Sequence, residues 1–289
     1  MALVRIVTDS TADIPDQLTG ELGIGVIHDY INFGVQSLRD KVDISRTEFY
    51  HRLTMEPETT KTSTPGVGAF EAMYRVMGAP EVPVISLHPP ARFSGLYGAA
   101  QLAAKAFPEG RVSVIDSGQI SMGMGWMAVA AARAAKLYQG VDDRIDMRSG
   151  MQQRGRSCAA LATFEFLGRS GRVSWAKAFV GSLLNVRPLI QVGDGQIIPL
   201  DRVRAGRRAM ARLVELTEAM APLESLAVLH SNWPECADEL GRNVARLSPE
   251  NHVTTVDVTP VIGVHVGPKG LGIAAVSAKQ PATRALVGA

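Results

Sequence analysis

Three short polar clusters in this 289-residue chain carry the side chains best suited to holding an anion. Thr62-Ser63-Thr64 stands before Pro65-Gly66, where a turn feeding a helix would bring hydroxyls and backbone N–H groups together. Ser94 precedes Gly95 at another helix start, and His265 closes a late apolar run beside Gly267-Pro268. Arginines at positions 169, 172, 187, 202 and 204 crowd the stretch 161–204, against only Glu165, Asp194 and Asp201. Taken singly, each feature has a simpler account. Thr62 and Ser94 would be helix caps, His265 a satisfied core or edge histidine, and the basic run a solvated face.

Other chemistries find less support. Gly123-Met124-Gly125-Trp126-Met127-Ala128 spells a dinucleotide fingerprint, GxGxxA. However, Gly123 lies seven residues past the strand end expected at Asp116, whereas the fingerprint's first glycine follows its strand directly. Small residues that let a helix pack closely explain the spelling better. No GxxxxGK(S/T) run exists, and Gly267-Pro268-Lys269-Gly270 lacks that spacing. The histidines at 28, 51, 88, 230, 252 and 265 fall in separate segments without metal-ligand spacing, so no metal is expected. A serine nucleophile would sit in GxSxG; Ser94 lacks the first glycine and Ser170 the last.

Composition narrows the class. Hydrophobic residues make up 46% and charged residues 20%, as in an ordinary globular protein with a sizeable core. A net charge of +2 is too balanced for a nucleic-acid or membrane-surface binder. Only Cys158 and Cys236 occur, neither in a CxxC pair, which fits buried thiols in a reducing, cytoplasmic setting. Residues 2–7 read as a first strand rather than a secretory leader. The uncharged run 120–132 is short of the roughly 20 residues that cross a bilayer, so it is expected to be a buried helix.

The elements that must position the clusters alternate strand and helix. Strands are expected at 4–8, 25–33, 82–87 and 112–115, with a loop at 61–66. Helices are expected from Ser45-Arg46-Thr47-Glu48 (a capping box), over 67–76, 94–107, up to Leu137 and over 142–154. Further on come a strand at 158–163, a turn at 168–172, a helix at 174–184 and a hairpin around Asp194-Gly195. Then follow helices at 205–220 and 234–246, and strands at 225–230, 252–258, 261–266 and 271–276, the last two expected to pair antiparallel. The fold class is therefore α/β with two α/β domains. Residues 1–155 would form the first, with a mostly parallel sheet, and 156–289 the second, with a mixed sheet.

Together the clusters resemble a known family. Val4-Arg5-Ile6-Val7-Thr8-Asp9-Ser10-Thr11-Ala12-Asp13-Ile14-Pro15 is very similar to the opening of the DegV family of bacterial fatty-acid-binding proteins. The likeness continues through Arg39-Asp40-Lys41-Val42-Asp43-Ile44, Thr62-Ser63-Thr64-Pro65-Gly66, Phe93-Ser94-Gly95-Leu96-Tyr97 and Val114-Ile115-Asp116-Ser117. It extends to residues 167–174, Gly181-Ser182-Leu183-Leu184-Asn185-Val186-Arg187-Pro188 and Pro260-Val261-Ile262-Gly263-Val264-His265-Val266-Gly267-Pro268, in order along nearly the whole chain. Two departures stand out: His88-Pro89-Pro90-Ala91-Arg92 where the family has a serine-rich stretch, and Arg169-Ser170-Gly171-Arg172 where it has two glycines.

The resemblance implies two α/β domains with a ligand tunnel at their interface, enclosing one long-chain fatty acid. The fatty acid is a ligand, and no cofactor is expected. The carboxylate would be held by Thr62, with Ser63 nearby, and by Ser94 and His265. Arg172 would serve work with a partner, and Arg204 could assist phosphoryl transfer. That partner would be a separate ATP-binding fatty acid kinase subunit that phosphorylates the bound acid, this chain having no catalytic residue of its own. Phe164, Phe166, Phe179 and Leu183 are expected to line the acyl tunnel. About fifteen buried methylenes at ~0.8 kcal/mol each give on the order of 12 kcal/mol gross, so the tail would dominate affinity even after ordering and desolvation costs. Two readings compete. One is a small-molecule α/β enzyme, a hydrolase or phosphotransferase using the Asp9/Ser94/His265 region. The other is a regulatory module docking a partner on the basic helix start 202–212.

Overall fold

The computed structural model describes residues 4–79, 81–137, 151–179 and 186–278. It contains two α/β domains. The first is built on a parallel sheet of β1 (Arg5–Asp9), β2 (Gly25–Ile27), β6 (Val84–His88) and β7 (Val112–Asp116), ordered β2-β1-β6-β7. Its central strands β1 and β6 are buried on both faces, which is why they read as apolar runs rather than alternating ones. Val7, Ile27 and Val84 meet α3 (Val67–Met77) and α4 (Leu96–Ala104) on one side, through Phe70, Tyr74, Leu96 and Ala100. Ile6, Ile85 and Leu87 face the opposite way, towards α5 (Met122–Leu137).

The second domain carries a six-stranded mixed sheet: β8 (Gly155–Ala160), β9 (Arg187–Gly193), β10 (Gln196–Val203), β11 (Leu223–Ser231), β12 (Thr254–Asp257) and β13 (Gly270–Ser277). The order is β10-β9-β8-β13-β11-β12, antiparallel except between β11 and β12. Helices α7 (Gly206–Glu218) and α8 (Pro234–Val244) cover one face through Leu213, Ala237 and Leu240. The other face meets α5, which shares a single apolar cluster with Ile6, Ile85, Leu229 and Ala274. That double burial accounts for the uncharged run at its start. Its glycines are packing devices: a Cβ on Gly125 would stand 2.6 Å from Ala12 O, and one on Gly123 2.4 Å from Ser157 Oγ. Among the described residues no helix is long and apolar enough to cross a membrane.

Several expectations need correction. The stretch 25–33 is two strands, not one. After β2 the chain turns at His28-Asp29, and β3 (Tyr30–Phe33) joins β4 (Gln36–Arg39) and β5 (Thr60–Ser63) in a separate antiparallel sheet, β4-β3-β5. The expected loop at 61–66 therefore begins as strand. The turn at 168–172 starts inside α6 (Glu165–Arg169). Residues 174–179 form a 3₁₀ helix rather than an α-helix, and 180–185 lie outside the described residues. Most of the helix expected at 142–154 also lies outside them. At α2 (Arg46–Met55) the cap holds, with Ser45 Oγ accepting from Glu48 N at 3.2 Å.

The largest correction concerns 261–266, expected as a strand. It is helix α9 (Pro260–Val266). Its β-branched residues suit a strand, but its punctuation is helical: Pro260 occupies the first turn and Gly267 follows the last with φ 72°. Burial decides the outcome, since a short apolar run does not distinguish strand from buried helix. Val261, Ile262 and Val264 are all buried, and Thr259 N at the helix start donates to the buried Asp13 Oδ1 at 2.7 Å. Two glycines let α9 press inward. A Cβ at Gly263 would meet Phe49 Cε1 at 2.6 Å, and one at Gly267 would meet Phe166 Cδ2 at 2.2 Å.

Gly267→Ala therefore combines a φ that L-residues avoid with a ring collision. We expect a loss of about 3 kcal/mol, measured by urea denaturation. Gly20→Ala in α1 (Asp16–Leu22), where a Cβ meets nothing within 4 Å, should leave stability unchanged or raise it by under about 1 kcal/mol.

Candidate functional site

The seating of α9 brings distant polar groups together. β5 pairs with β3 so that Thr62 stands opposite Ile31, a residue of the buried face beneath α9. Strand alternation puts the Thr62 side chain on that face and Ser63 on the other. Thr62 Oγ1 lies 3.2 Å from His265 Nε2 in the last turn of α9. Ser63 Oγ is instead engaged by Asn32 Nδ2 at 3.0 Å. Ser94 precedes α4, where its Oγ accepts from Leu96 N at 3.3 Å and its own N–H reaches Pro90 O at 3.2 Å. Arg172, in the turn after α6, reaches across the seam and donates from Nε to Phe93 O at 3.2 Å.

These residues line one chamber. Thr11, Asp29, Thr62, Thr64, Ser94, His265 and Arg172 supply its polar wall, and Leu167, Ile190, Ile197, Ile262 and Val266 its apolar wall. Its empty space is about 850 Å³ including the open mouth. A second chamber of about 510 Å³, walled by Cys158, Leu161, Val192, Leu229 and Leu271 among others, adjoins it. Ile120, Ile190, Ile262 and Val266 belong to both walls. A chamber with polar groups at the seam between domains thus shares a wall with an almost wholly apolar one over the mixed sheet.

The electrostatics of the polar chamber rest on neutral donors. Burial, with Arg172 adding to it, holds the His265 imidazole down at about 4, so the ring is uncharged at neutral pH. Among the described residues its buried Nδ1 has no partner. Orphaned buried N–H groups are rarer than orphaned acceptors, so the proton belongs on Nε2, which donates to Thr62 Oγ1. The Thr62 hydroxyl proton is then free to turn into the chamber. Behind the wall a second buried chain of bonds runs from Tyr74 Oη to Ser86 Oγ at 3.0 Å and from Ser86 Oγ to His88 Nε2 at 2.7 Å. It continues from His88 Nδ1 to Asp9 Oδ2 at 2.7 Å. Asp9 Oδ1 accepts from both Thr11 N and Thr11 Oγ1. That network anchors Thr11 and uses His88 as structure, although the sequence marks it only as a departure.

The structure brings Thr62, Ser94, His265 and Arg172 to one chamber, with Ser63 on its wall but its hydroxyl occupied. Arg204 is exposed and lines neither chamber. Nor do Phe164 and Phe166: Phe164 is buried edge-on to Trp175, and Phe166 packs over the bare face of Gly267. The Phe179 side chain and Leu183 lie outside the described residues. Asp29 was missed as a wall residue, and Thr64 was marked only as part of the Thr62-Ser63-Thr64 cluster. The available signal was a charged residue breaking the apolar run 25–33.

The sequence matches the family described as "Uncharacterised protein, DegV family" over residues 3–278. A DegV domain-containing protein of Streptomyces coelicolor is 34% identical, covering 93% of this chain and 97% of its own. Among solved structures, a fatty-acid-binding DegV family protein of Thermus thermophilus superposes with TM-score 0.88 and 30% identity, covering 96% of this chain and all of its own. DegV of Bacillus subtilis, described as a fatty acid binding protein, gives TM-score 0.82 and 28% identity with the same coverage, 96% and 100%.

The protonation assignment is open to test. Long-range ¹⁵N–¹H NMR of the imidazoles should show His265 neutral, with its proton on Nε2, throughout pH 5.5–8 (about the physiological span of histidine titration). A midpoint near the ordinary histidine value would contradict it.

Proposed function

The chain belongs to the DegV family, and from that premise we propose that it binds one long-chain fatty acid across the two adjoining chambers. The observation that carries this reading is the shared wall: a chamber with hydroxyl donors adjoins, across Ile120, Ile190, Ile262 and Val266, a space whose exposed lining is almost wholly apolar. The carboxyl group sits with Thr62, Ser94 and His265, while Ser63 serves that wall through its backbone. The tail runs past Ile120, Ile190 and Ile262 towards Leu161, Leu229 and Leu271. Hydroxyls hold the head group by donation, the neutral imidazole orienting the Thr62 hydroxyl towards it, rather than by a paired buried cation.

Arg172 has a separate place. It is exposed, lines the polar chamber and clasps the Phe93 carbonyl, so its remaining N–H groups face whatever approaches the mouth. We assign it to a partner that phosphorylates the bound acid. A carboxylate oxygen attacks the γ-phosphorus of the partner's ATP, ADP leaves, and the guanidinium stabilises the transferred charge. Arg204, away from the chamber, receives no role in the transfer.

A hydrolase built on Ser94 and His265 fits the geometry poorly. His265 bonds Thr62 rather than Ser94, and its Nδ1 has no carboxylate to orient it. Titration of palmitic acid into delipidated protein, followed by tryptophan fluorescence, separates the roles. Thr62→Ala and Ser94→Ala should each weaken binding about tenfold. Arg172→Ala should bind as the wild type does but resist phosphorylation by an ATP-binding partner. Equal loss of binding in all three variants would contradict this division of labour.

A further inference from the structure

One buried group on the polar wall is left over from that account. Asp29 stands just before β3 and continues its pairing with β4: Asp40 N donates to Asp29 O at 2.8 Å, one step beyond Tyr30 opposite Arg39. Alternation places its side chain on the face that carries Ile31 and Phe33. On β5 the same face carries Thr62, and extending the register past Tyr30 opposite Ser63 sets Asp29 beside Thr64. The residue is 2% exposed yet lines the chamber with Thr62, Ser94 and His265. Ser10 Oγ donates to its Oδ2 at 3.3 Å and accepts from its N–H at 3.2 Å. Among the described residues Oδ1 has no hydrogen-bond partner.

We propose that Asp29 is a ligand-binding residue that holds the fatty-acid carboxyl group through one proton shared between its Oδ1 and a ligand oxygen. This rests on the fatty-acid reading above. Two carboxyl groups side by side cannot both be ionised in a buried site, and one shared proton removes the repulsion while making a short, charge-assisted bond. It also explains how an acid is bound beside Thr62 and His265 with no buried cation at its head group.

The surroundings of Asp29 favour its holding the proton before ligand arrives. Burial, then the charges of Asp9 at the end of β1 and Asp40 after β4, push its carboxyl well above the ordinary carboxylate range. The nearby basic groups are engaged elsewhere. His88 bonds Asp9, Arg46 on α2 lies 3.6 Å from Asp40, and Lys41 pairs with Asp16. Burial holds the adjacent His28 below its ordinary value, His265 on α9 is neutral, and Arg172 stands at the exposed mouth. The ligand anion therefore meets a proton donor. The bound pair carries one negative charge and one proton, and the proton must leave before both groups ionise. Because the bound pair holds one proton, affinity falls as pH rises past the point where Asp29 of the free protein ionises, since binding must then take a proton up.

Palmitic acid labelled with ¹³C at its carboxyl carbon is the probe, bound to the full chain and observed by NMR from about pH 6 to 9. The wild-type complex should give a carboxyl resonance between the protonated and ionised positions. Its affinity should fall towards about tenfold per pH unit at the alkaline end. In Asp29→Asn the resonance should move to the fully ionised position and the affinity should become independent of pH. A wild-type resonance already at the ionised position, with pH-independent affinity, overturns the shared proton, and this holds even if the variant fails to fold. Failure of the wild type to bind palmitic acid at any pH would instead overturn the fatty-acid reading itself.

Discussion

The site depends on how one short helix is seated. α9 belongs in sequence to the second domain, yet it packs against α2, β3 and β5 of the first. Its backbone comes close enough only because Gly263 and Gly267 carry no Cβ where Phe49 and Phe166 stand. From that position it does two things at once. His265 in its last turn meets Thr62 across 203 residues of chain, and Ile262 and Val266 form part of the wall common to both chambers. The polar groups of the first chamber and the wall shared with the second are therefore set by the same packing contact.

The charge balance follows a consistent pattern. The polar chamber contains hydroxyls, a neutral imidazole and a buried carboxyl group, while its formal cation, Arg172, stands at the exposed mouth. Burying a charged pair costs desolvation that an apolar tail does not. On the proposed reading, a site that takes most of its affinity from the tail has little need of a buried cation, and the arginine is left for an encounter with a partner rather than spent on ground-state binding.

Much of this was legible in the sequence, for physical reasons. Buried strands give apolar runs, and the hydroxyls before Pro65 and Gly95 mark chain turns near helix starts; Thr62, Ser94 and Arg172 line one chamber. Local pattern misled where tertiary burial decided. Val261-Ile262-Gly263-Val264-His265-Val266 has strand composition, and only its flanking Pro260 and Gly267 hint at a helix. Aromatic size suggests a pocket, whereas Phe164 and Phe166 pack into the fold and line neither chamber, and the second space lies over the mixed sheet. Asp29 was overlooked because its importance comes from register, which a single strand does not reveal.

The central claim is that the two chambers together hold a fatty acid, and native mass spectrometry of the purified, undelipidated chain tests it most directly. The account predicts a bound species heavier than the chain by the mass of one long-chain fatty acid, released on denaturation and restored when the acid is added back. A protein that is isolated wholly free of lipid, and that takes up no such acid in solution, would contradict it.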